Sequence, residues 1–263
     1  MIFLKLGGSL ISDKAKPETP RLEVMQRLAE EIAAVVRRQP ELRLLLGHGS
    51  GSFGHRAAAK HGTHRGAVSR SDWSGFAEVW ATANRLNRLL VDALRSAGLP
   101  VISFPPSASA VSDSGEIITM ALEPIQRALG NGLLPLVQGD VGFDRARGSV
   151  ILSTEAIFRH LAPALRPKLV LLAGSEPGVM RDPQAGAEIV PLLDEEAAQR
   201  IGLASAADID VTGGMADKVR QAFLIARAVP GVVVRIFSGA EPGAVQRALL
   251  GEPLGTWIRA TAE

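Results

Sequence analysis

The chain has 263 residues, 46% of them hydrophobic and 21% charged, with a formal net charge of +2, which is ordinary for a globular protein long enough to bury a sizeable core. It contains no cysteine, which excludes disulfides and thiol catalysis. It also lacks tyrosine, so almost nothing titrates between histidine and lysine; the sequence pI of about 9.3 follows from a small excess of base and is no sign of nucleic-acid binding.

The first predicted element is a strand, Ile2–Leu6, apolar except for Lys5 and followed at once by Gly7-Gly8-Ser9. Burying an ammonium is costly unless an anion compensates it. At the carboxyl end of a strand, beside a glycine turn, it is placed to hold a transferring phosphoryl group. Ser12–Arg21 carries no periodicity and reads as a loop, and a helix is predicted over Leu22–Arg38. A second strand, Leu42–Leu46, runs into Gly47-His48-Gly49-Ser50-Gly51-Ser52-Phe53-Gly54-His55, with four glycines and two histidines in nine residues. Glycine lets the backbone approach a ligand with its N–H groups outward, and a following helix N-terminus favours negative charge, so this segment reads as a phosphate cradle.

Two other readings of the cradle are weaker. Gly49-x-Gly51-x-x-Gly54 has the spacing of a dinucleotide-binding turn, which also demands an acidic residue about 20 positions on, at the end of a second strand. Asp72 has the distance, but Gly66–Ser71 is not a convincing strand. His48, His55, His61 and His64 are spaced seven, six and three apart, which fits no compact zinc motif, so no metal site is predicted. His55, at the end of the cradle, is best placed to donate to an anion. His61 and His64 are expected on a solvated loop.

The next helix, Gly75–Ala97, carries Phe76, Val79, Trp80, Ala83, Leu86 and Leu90 at helical spacing, either as core or as a face for an apolar substrate tail. Further strands are predicted at Val101–Phe104, Leu133–Val137, Lys168–Ala173 and Val232–Phe237, with helices at Pro124–Leu129, Thr154–Leu161, Ala216–Ala228 and Ala244–Leu250. Gly139–Gly148 has weak hairpin features. A third glycine turn lies in Asp210-Val-Thr-Gly-Gly-Met-Ala-Asp-Lys218, where a lysine in the first turn of a helix opposes the helix dipole unless it neutralises a docked phosphate. Neither a Walker A motif nor a protein-kinase catalytic loop is present. Near-continuous apolar strands alternating with helices predict an α/β fold, a three-layer αβα sandwich around a mainly parallel sheet. A soft lobe boundary near Pro163–Pro167 divides 1–165 from 166–263. The N-terminus enters a strand without the pattern of a signal peptide, and no apolar run approaches the roughly 18 to 20 residues of a membrane span, so a cytoplasmic location is expected.

Together these pieces resemble the amino-acid-kinase family, and within it the isopentenyl phosphate kinase branch, over essentially the whole chain. The residues that carry the resemblance are Lys5-Leu-Gly-Gly-Ser-Leu-Ile-Ser-Asp-Lys14, His48 to His55, Pro106-Ser107-Ala108, Gly139-Asp140-Val141 and Asp210 to Met215. The ending Ser52-Phe53-Gly54-His55 is the most specific, because amino-acid-directed members lack that histidine. The resemblance implies Mg2+-dependent transfer of the ATP γ-phosphoryl group to isopentenyl phosphate. It assigns Lys5, Lys14 and His55 to catalysis, the two lysines stabilising the transferred group and the histidine binding the acceptor phosphate. Ser50, Gly54 and Thr154 would join His55 around the acceptor. Gly7, Gly8, Ser9, Gly51, Gly174, Gly213 and Lys218 would join Lys5 around ATP. It further implies acceptor binding by the first lobe, nucleotide binding by the second, a homodimer, and no nucleic-acid or membrane partner.

The chain departs from the family twice. It has Ser153-Thr154-Glu155 where members read Ser-Gly-Asp, and Ala173 to Gly178 where they read Thr-Asp-x-Asp-Gly. Glu155 is able to substitute for the first carboxylate and Glu176 in part for the second. The alternatives are a same-fold kinase for another small phosphate or phosphonate such as fosfomycin, and a nucleotide sensor without turnover. Retention of Lys5, Lys14, His55 and Lys218 weighs against the sensor.

Overall fold

The computed structural model describes residues 1–181, 188–200 and 214–260. Its strands are β1 (Ile2–Leu6), β2 (Leu44–His48), β3 (Val101–Ser103), β4 (Val111–Asp113), β5 (Glu116–Thr119), β6 (Leu134–Gln138), β7 (Asp140–Asp144), β8 (Gly148–Leu152), β9 (Leu169–Gly174), β10 (Leu192–Leu193), β11 (Val233–Ser238) and β12 (Thr256–Ile258). Its helices are α1 (Gly8–Ile11), α2 (Leu22–Arg38), α3 (Gly51–His61), α4 (Arg70–Ser96), α5 (Glu123–Gly130), α6 (Thr154–Leu165), α7 (Glu195–Arg200), α8 (Met215–Ala228) and α9 (Ala244–Leu249).

Eight strands form one sheet in the order β10-β12-β11-β9-β1-β2-β6-β3, parallel except where β12 meets β11. The most apolar strands take its centre, where both faces are covered. Successive side chains alternate between faces, and β1 divides its own. Phe3 packs with Phe158 of α6 in one core layer, ring centroids 5.0 Å apart, while Leu4 and Leu6 join Met25, Leu28, Leu86 and Leu90 of α2 and α4 in the other. Lys5 shares the parity of Phe3 and so faces the α6 side. This α/β sandwich is the fold expected from the sequence.

Most predicted elements are present with ends shifted by one or two residues. Strand β2 starts two residues late because Leu42 closes a turn onto the carbonyl of Gln39. Helix α4 starts five residues early, at a capping box in which Ser69 and Asp72 exchange side-chain and backbone hydrogen bonds. Asp72 is therefore a helix cap, which removes it as the ribose-binding acid of a dinucleotide turn. On α4, Phe76, Val79, Ala83, Leu86 and Leu90 are buried as core, whereas Trp80 faces solvent. His61 is not on a loop: it ends α3 and its Nε2 lies 2.7 Å from Glu78, while His64 sits exposed in a short 3-10 turn.

The hairpin is real but longer than expected. β7 and β8 pair antiparallel from Asp140 opposite Leu152 to Asp144 opposite Gly148, and with β4 and β5 they form a second, four-stranded sheet. Asp144 accepts from the N–H groups of Ser114, Gly115, Ala146 and Arg147, which ties the two hairpin turns together.

Candidate phosphate-transfer site

The carboxyl ends of β1, β2 and β9 lie side by side, and each runs into a glycine turn. Two of these turns touch. A Cβ on Gly8 would overlap the backbone of Gly51, and one on Gly49 would come within 2.8 Å of the Gly8 nitrogen. Gly51 sits at φ +53°, where a Cβ would overlap Ser12 Oγ and lie 2.8 Å from Gly8 O. Glycine is required here by close approach and by φ together. Ser12 completes the joint: its hydroxyl donates to Gly8 O (2.7 Å) and accepts from the Ser52 N–H (2.9 Å). The predicted Gly7, Gly8, Ser9, Ser50, Gly51 and Gly54 thus form one surface at the starts of α1 and α3. Among the described residues, the N–H groups of Gly8, Ser9, Ser50 and Gly51 have no protein acceptor. Unpaired donors at two helix starts are suited to an anion.

Around it gather the cations. Lys5 is only 9% exposed and donates to Glu155, itself 5% exposed in the first turn of α6. Burial works against ionisation of Glu155. The charge and hydrogen bond of Lys5 outweigh it, with help from the helix N-terminus and Lys218, and hold the carboxyl below its ordinary range. Lys218, in the first turn of α8, is half-buried, with its Nζ 3.8 Å from the Cβ position of Gly174. Burial lowers its pKa, and the charge of Lys5 adds to this. Lys14 lies exposed on the loop between α1 and α2; Arg56 of α3 grips that loop at Ala15 O (2.7 Å), and Arg85 of α4 grips it at Glu18 (2.5 Å). The described part of the site therefore holds three lysines against two carboxylates, Glu155 and the exposed Glu176 whose charge acts on Lys218, an excess of positive charge awaiting an anion.

His55 lies one turn into α3 and is exposed to the cleft. Surrounding protein atoms and then the charges of Lys14 and Lys5 lower its pKa, offset in part by Glu155, so the ring is neutral at pH 7 and offers one N–H. Thr154 is 1% exposed and its hydroxyl donates to His48 O (2.7 Å), so what it can present to a ligand is its main-chain N–H at the start of α6. On the nucleotide side, Ser9 Oγ lies 3.4 Å from Ser175 Oγ, and Gly239 N–H donates to Gly174 O (2.9 Å), which closes β9 and β11 around Gly174. Gly213 lies outside the described residues.

Sequence reasoning missed three parts of this arrangement. Ser12 lies in the Lys5 to Lys14 motif, but sequence reasoning gives it no role. Ser107 and Asp140, noted as separate motifs, meet: the Ser107 hydroxyl donates to Asp140 (2.7 Å), and burial raises the Asp140 pKa against that bond. The third is His48, which is fully buried. Among the described residues, no three His, Cys, Asp or Glu side chains converge as a metal site.

Known proteins resemble this chain in sequence and in fold. Residues 1–238 match the amino acid kinase family. The isopentenyl phosphate kinase of Methanothermobacter thermautotrophicus is 34% identical over 98% of both chains, and that of Methanocaldococcus jannaschii is 31% identical over 98% of both. A crystal structure of an isopentenyl phosphate kinase superposes with a TM-score of 0.83 at 30% identity, covering 98% of this chain and 99% of its own.

Proposed function

The chain belongs to the amino acid kinase family, and from that premise we propose that it transfers the γ-phosphoryl group of ATP to isopentenyl phosphate, giving isopentenyl diphosphate and ADP. The observation that carries this reading is the pair of touching glycine turns ringed by Lys5, Lys14, Lys218 and His55. An acceptor phosphate oxygen attacks Pγ, the new P–O bond forms as the bond from Pγ to the bridging oxygen of ADP breaks, and no proton need leave the acceptor. No general base is therefore required, and catalysis reduces to positioning and charge stabilisation. Lys5 and Lys14 stabilise the transferred group, and the N–H groups of Gly8, Ser9, Ser50 and Gly51 hold phosphate oxygens. His55 donates to the acceptor, with Ser50, Gly54 and Thr154 beside it. Lys218, Gly7, Gly174 and Gly213 hold ATP. Residues 1–165 supply the acceptor side and 166–263 most of the nucleotide side. Magnesium would arrive on the ATP phosphates. A homodimer in the cytoplasm is the state we assign.

The deciding assay follows ADP and the diphosphate with purified protein, Mg-ATP and isopentenyl phosphate. Turnover supports the reading; failure there, with turnover on another phosphorylated acceptor, would replace the acceptor and keep the chemistry. Two variants assign the sides. His55→Ala is expected to raise the acceptor KM and lower kcat by at least about tenfold while leaving the KM for ATP unchanged; wild-type kinetics would remove His55 from the site. Lys218→Gln is expected to raise the KM for ATP by roughly tenfold or more, since a charge-assisted bond to phosphate is lost. An effect confined to the acceptor KM would place Lys218 on the wrong side.

A further inference from the structure

His48 is the last residue of β2 and is completely buried. Its Nε2 lies 3.0 Å from Asn87 Nδ2, and the Asn87 Oδ1 accepts from the Ser103 hydroxyl (2.9 Å). A carbonyl oxygen only accepts, so the Gly49 oxygen beside Nδ1 places the ring proton on Nδ1 and leaves Nε2 to accept from the Asn87 amide. Nδ1 in turn lies 3.0 Å from the carbonyl oxygen of Gly49 and donates to it. Burial, opposed by the Gly49 bond and aided by the charge of Lys5, lowers the ring pKa to about 4, so this tautomer is neutral at working pH.

The consequence lies in the Gly49–Ser50 peptide. A trans peptide points its C=O and N–H to opposite sides. Residue 49 must be glycine because a Cβ would come within 2.8 Å of the Gly8 nitrogen, and glycine by itself leaves that peptide free to rotate. The imidazole removes the freedom by drawing the Gly49 carbonyl into the core. The Ser50 N–H, which has no acceptor among the described residues, is thereby turned the other way, with the Ser50 nitrogen 3.3 Å from the Cβ position of Gly139. The main-chain oxygen of His48 also accepts from Gly139 N–H (2.8 Å) and from Thr154 Oγ1 (2.7 Å), so the residue joins the loop to the start of α6.

We infer that His48 is a positioning residue: held by Asn87, its ring fixes the Gly49–Ser50 peptide so that the Ser50 N–H meets the acceptor phosphate. The assignment rests on the acceptor reading of this loop.

The test uses His48→Phe, His48→Asn and His48→Phe/Asn87→Leu beside the wild type. His48→Phe leaves the Asn87 amide and the Gly49 carbonyl unpaired, so both Tm and activity fall. Asn retains a donor at the place of Nδ1 and is expected to keep kcat/KM for isopentenyl phosphate within about fivefold of wild type. The double variant replaces both members of the His48–Asn87 pair by apolar groups and is expected to regain the part of the Tm lost through that pair, because matched removal is nearly neutral, while the Gly49 carbonyl stays unpaired. It is expected not to regain activity: its acceptor KM stays raised by about tenfold or more at unchanged KM for ATP. Recovery of the acceptor KM along with Tm, or an Asn variant as impaired as Phe, would show a merely structural role and overturn the inference. If the wild type does not turn over isopentenyl phosphate, the acceptor reading fails by itself. Inorganic phosphate then serves as the probe, with the Ser50 amide shift followed by NMR. A phosphate-induced shift in the wild type that is lost in the stable double variant upholds the inference, and equal shifts overturn it.

Discussion

Replacing Lys5 by Met is expected to lower kcat by about a thousandfold or more, the range seen when a preorganised charge on a transferred phosphoryl group is removed. It should also destabilise the protein, for a reason separate from catalysis. Lys5 and Glu155 are a buried pair, and removing one member leaves the other charge uncompensated, at about 3 to 5 kcal/mol. The sign with pH follows. In the native protein the Glu155 carboxyl titrates below its unfolded range, so the pair contributes stability that is present above the unfolded pKa and is lost as pH falls through the lowered folded pKa. Without Lys5, burial dominates and the carboxyl pKa rises above the unfolded value. The variant then regains stability as pH falls through that raised pKa. Thermal unfolding at several pH values should therefore show a gap between native and Lys5→Met protein that is widest at neutral pH and narrows in acid. Adding Glu155→Gln should restore much of the Tm at neutral pH and none of the activity. A gap that does not change with pH would mean that Glu155 finds another partner.

Gly51→Ala is expected to cost roughly 2 to 5 kcal/mol, adding left-handed strain to overpacking, and to lower kcat/KM by about a hundredfold by displacing the loop by a fraction of an ångström. At φ +53° the new methyl meets Ser12 Oγ and the Gly8 carbonyl, the two groups that join the turns. Gly98→Ala is the control. It has φ +84° but nothing within 4 Å of its Cβ position, at the far end of α4, so it should cost about 1 kcal/mol and leave kcat unchanged. Chemical denaturation and steady-state kinetics on both variants check the pair. Equal effects at the two positions would mean that φ alone, and not the close approach of the turns, is what glycine supplies at residue 51.

Read along the chain, the fold was largely legible. Short apolar runs and amphipathic helices have different periods, and a parallel sheet covered on both faces leaves its central strands apolar throughout. β1 and α2 end where the pattern ends. What escaped was short or carried little apolar signal. α3 is built from glycine, alanine and polar residues, so its periodicity is weak. β4, β5, β10 and β12 are two to four residues each and are held by partners distant in sequence.

The site divides in the same way. Glycine turns after strands, a lysine inside an apolar strand and a histidine ending the cradle are local signals, and by themselves they pointed to phosphate chemistry at strand carboxyl ends. Which groups meet there is a long-range matter. Lys5 and Glu155 are 150 positions apart, Ser12 and Ser52 40, His48 and Asn87 39, and only the stacking of α6, α3 and α4 on the sheet brings each pair into contact. Tertiary structure also separated two histidines of one motif, because successive turns of chain pass from sheet to helix between them. His55 was left exposed on α3, and His48 was sealed in the core, where desolvation keeps it neutral and the bond to the Gly49 carbonyl sets its proton.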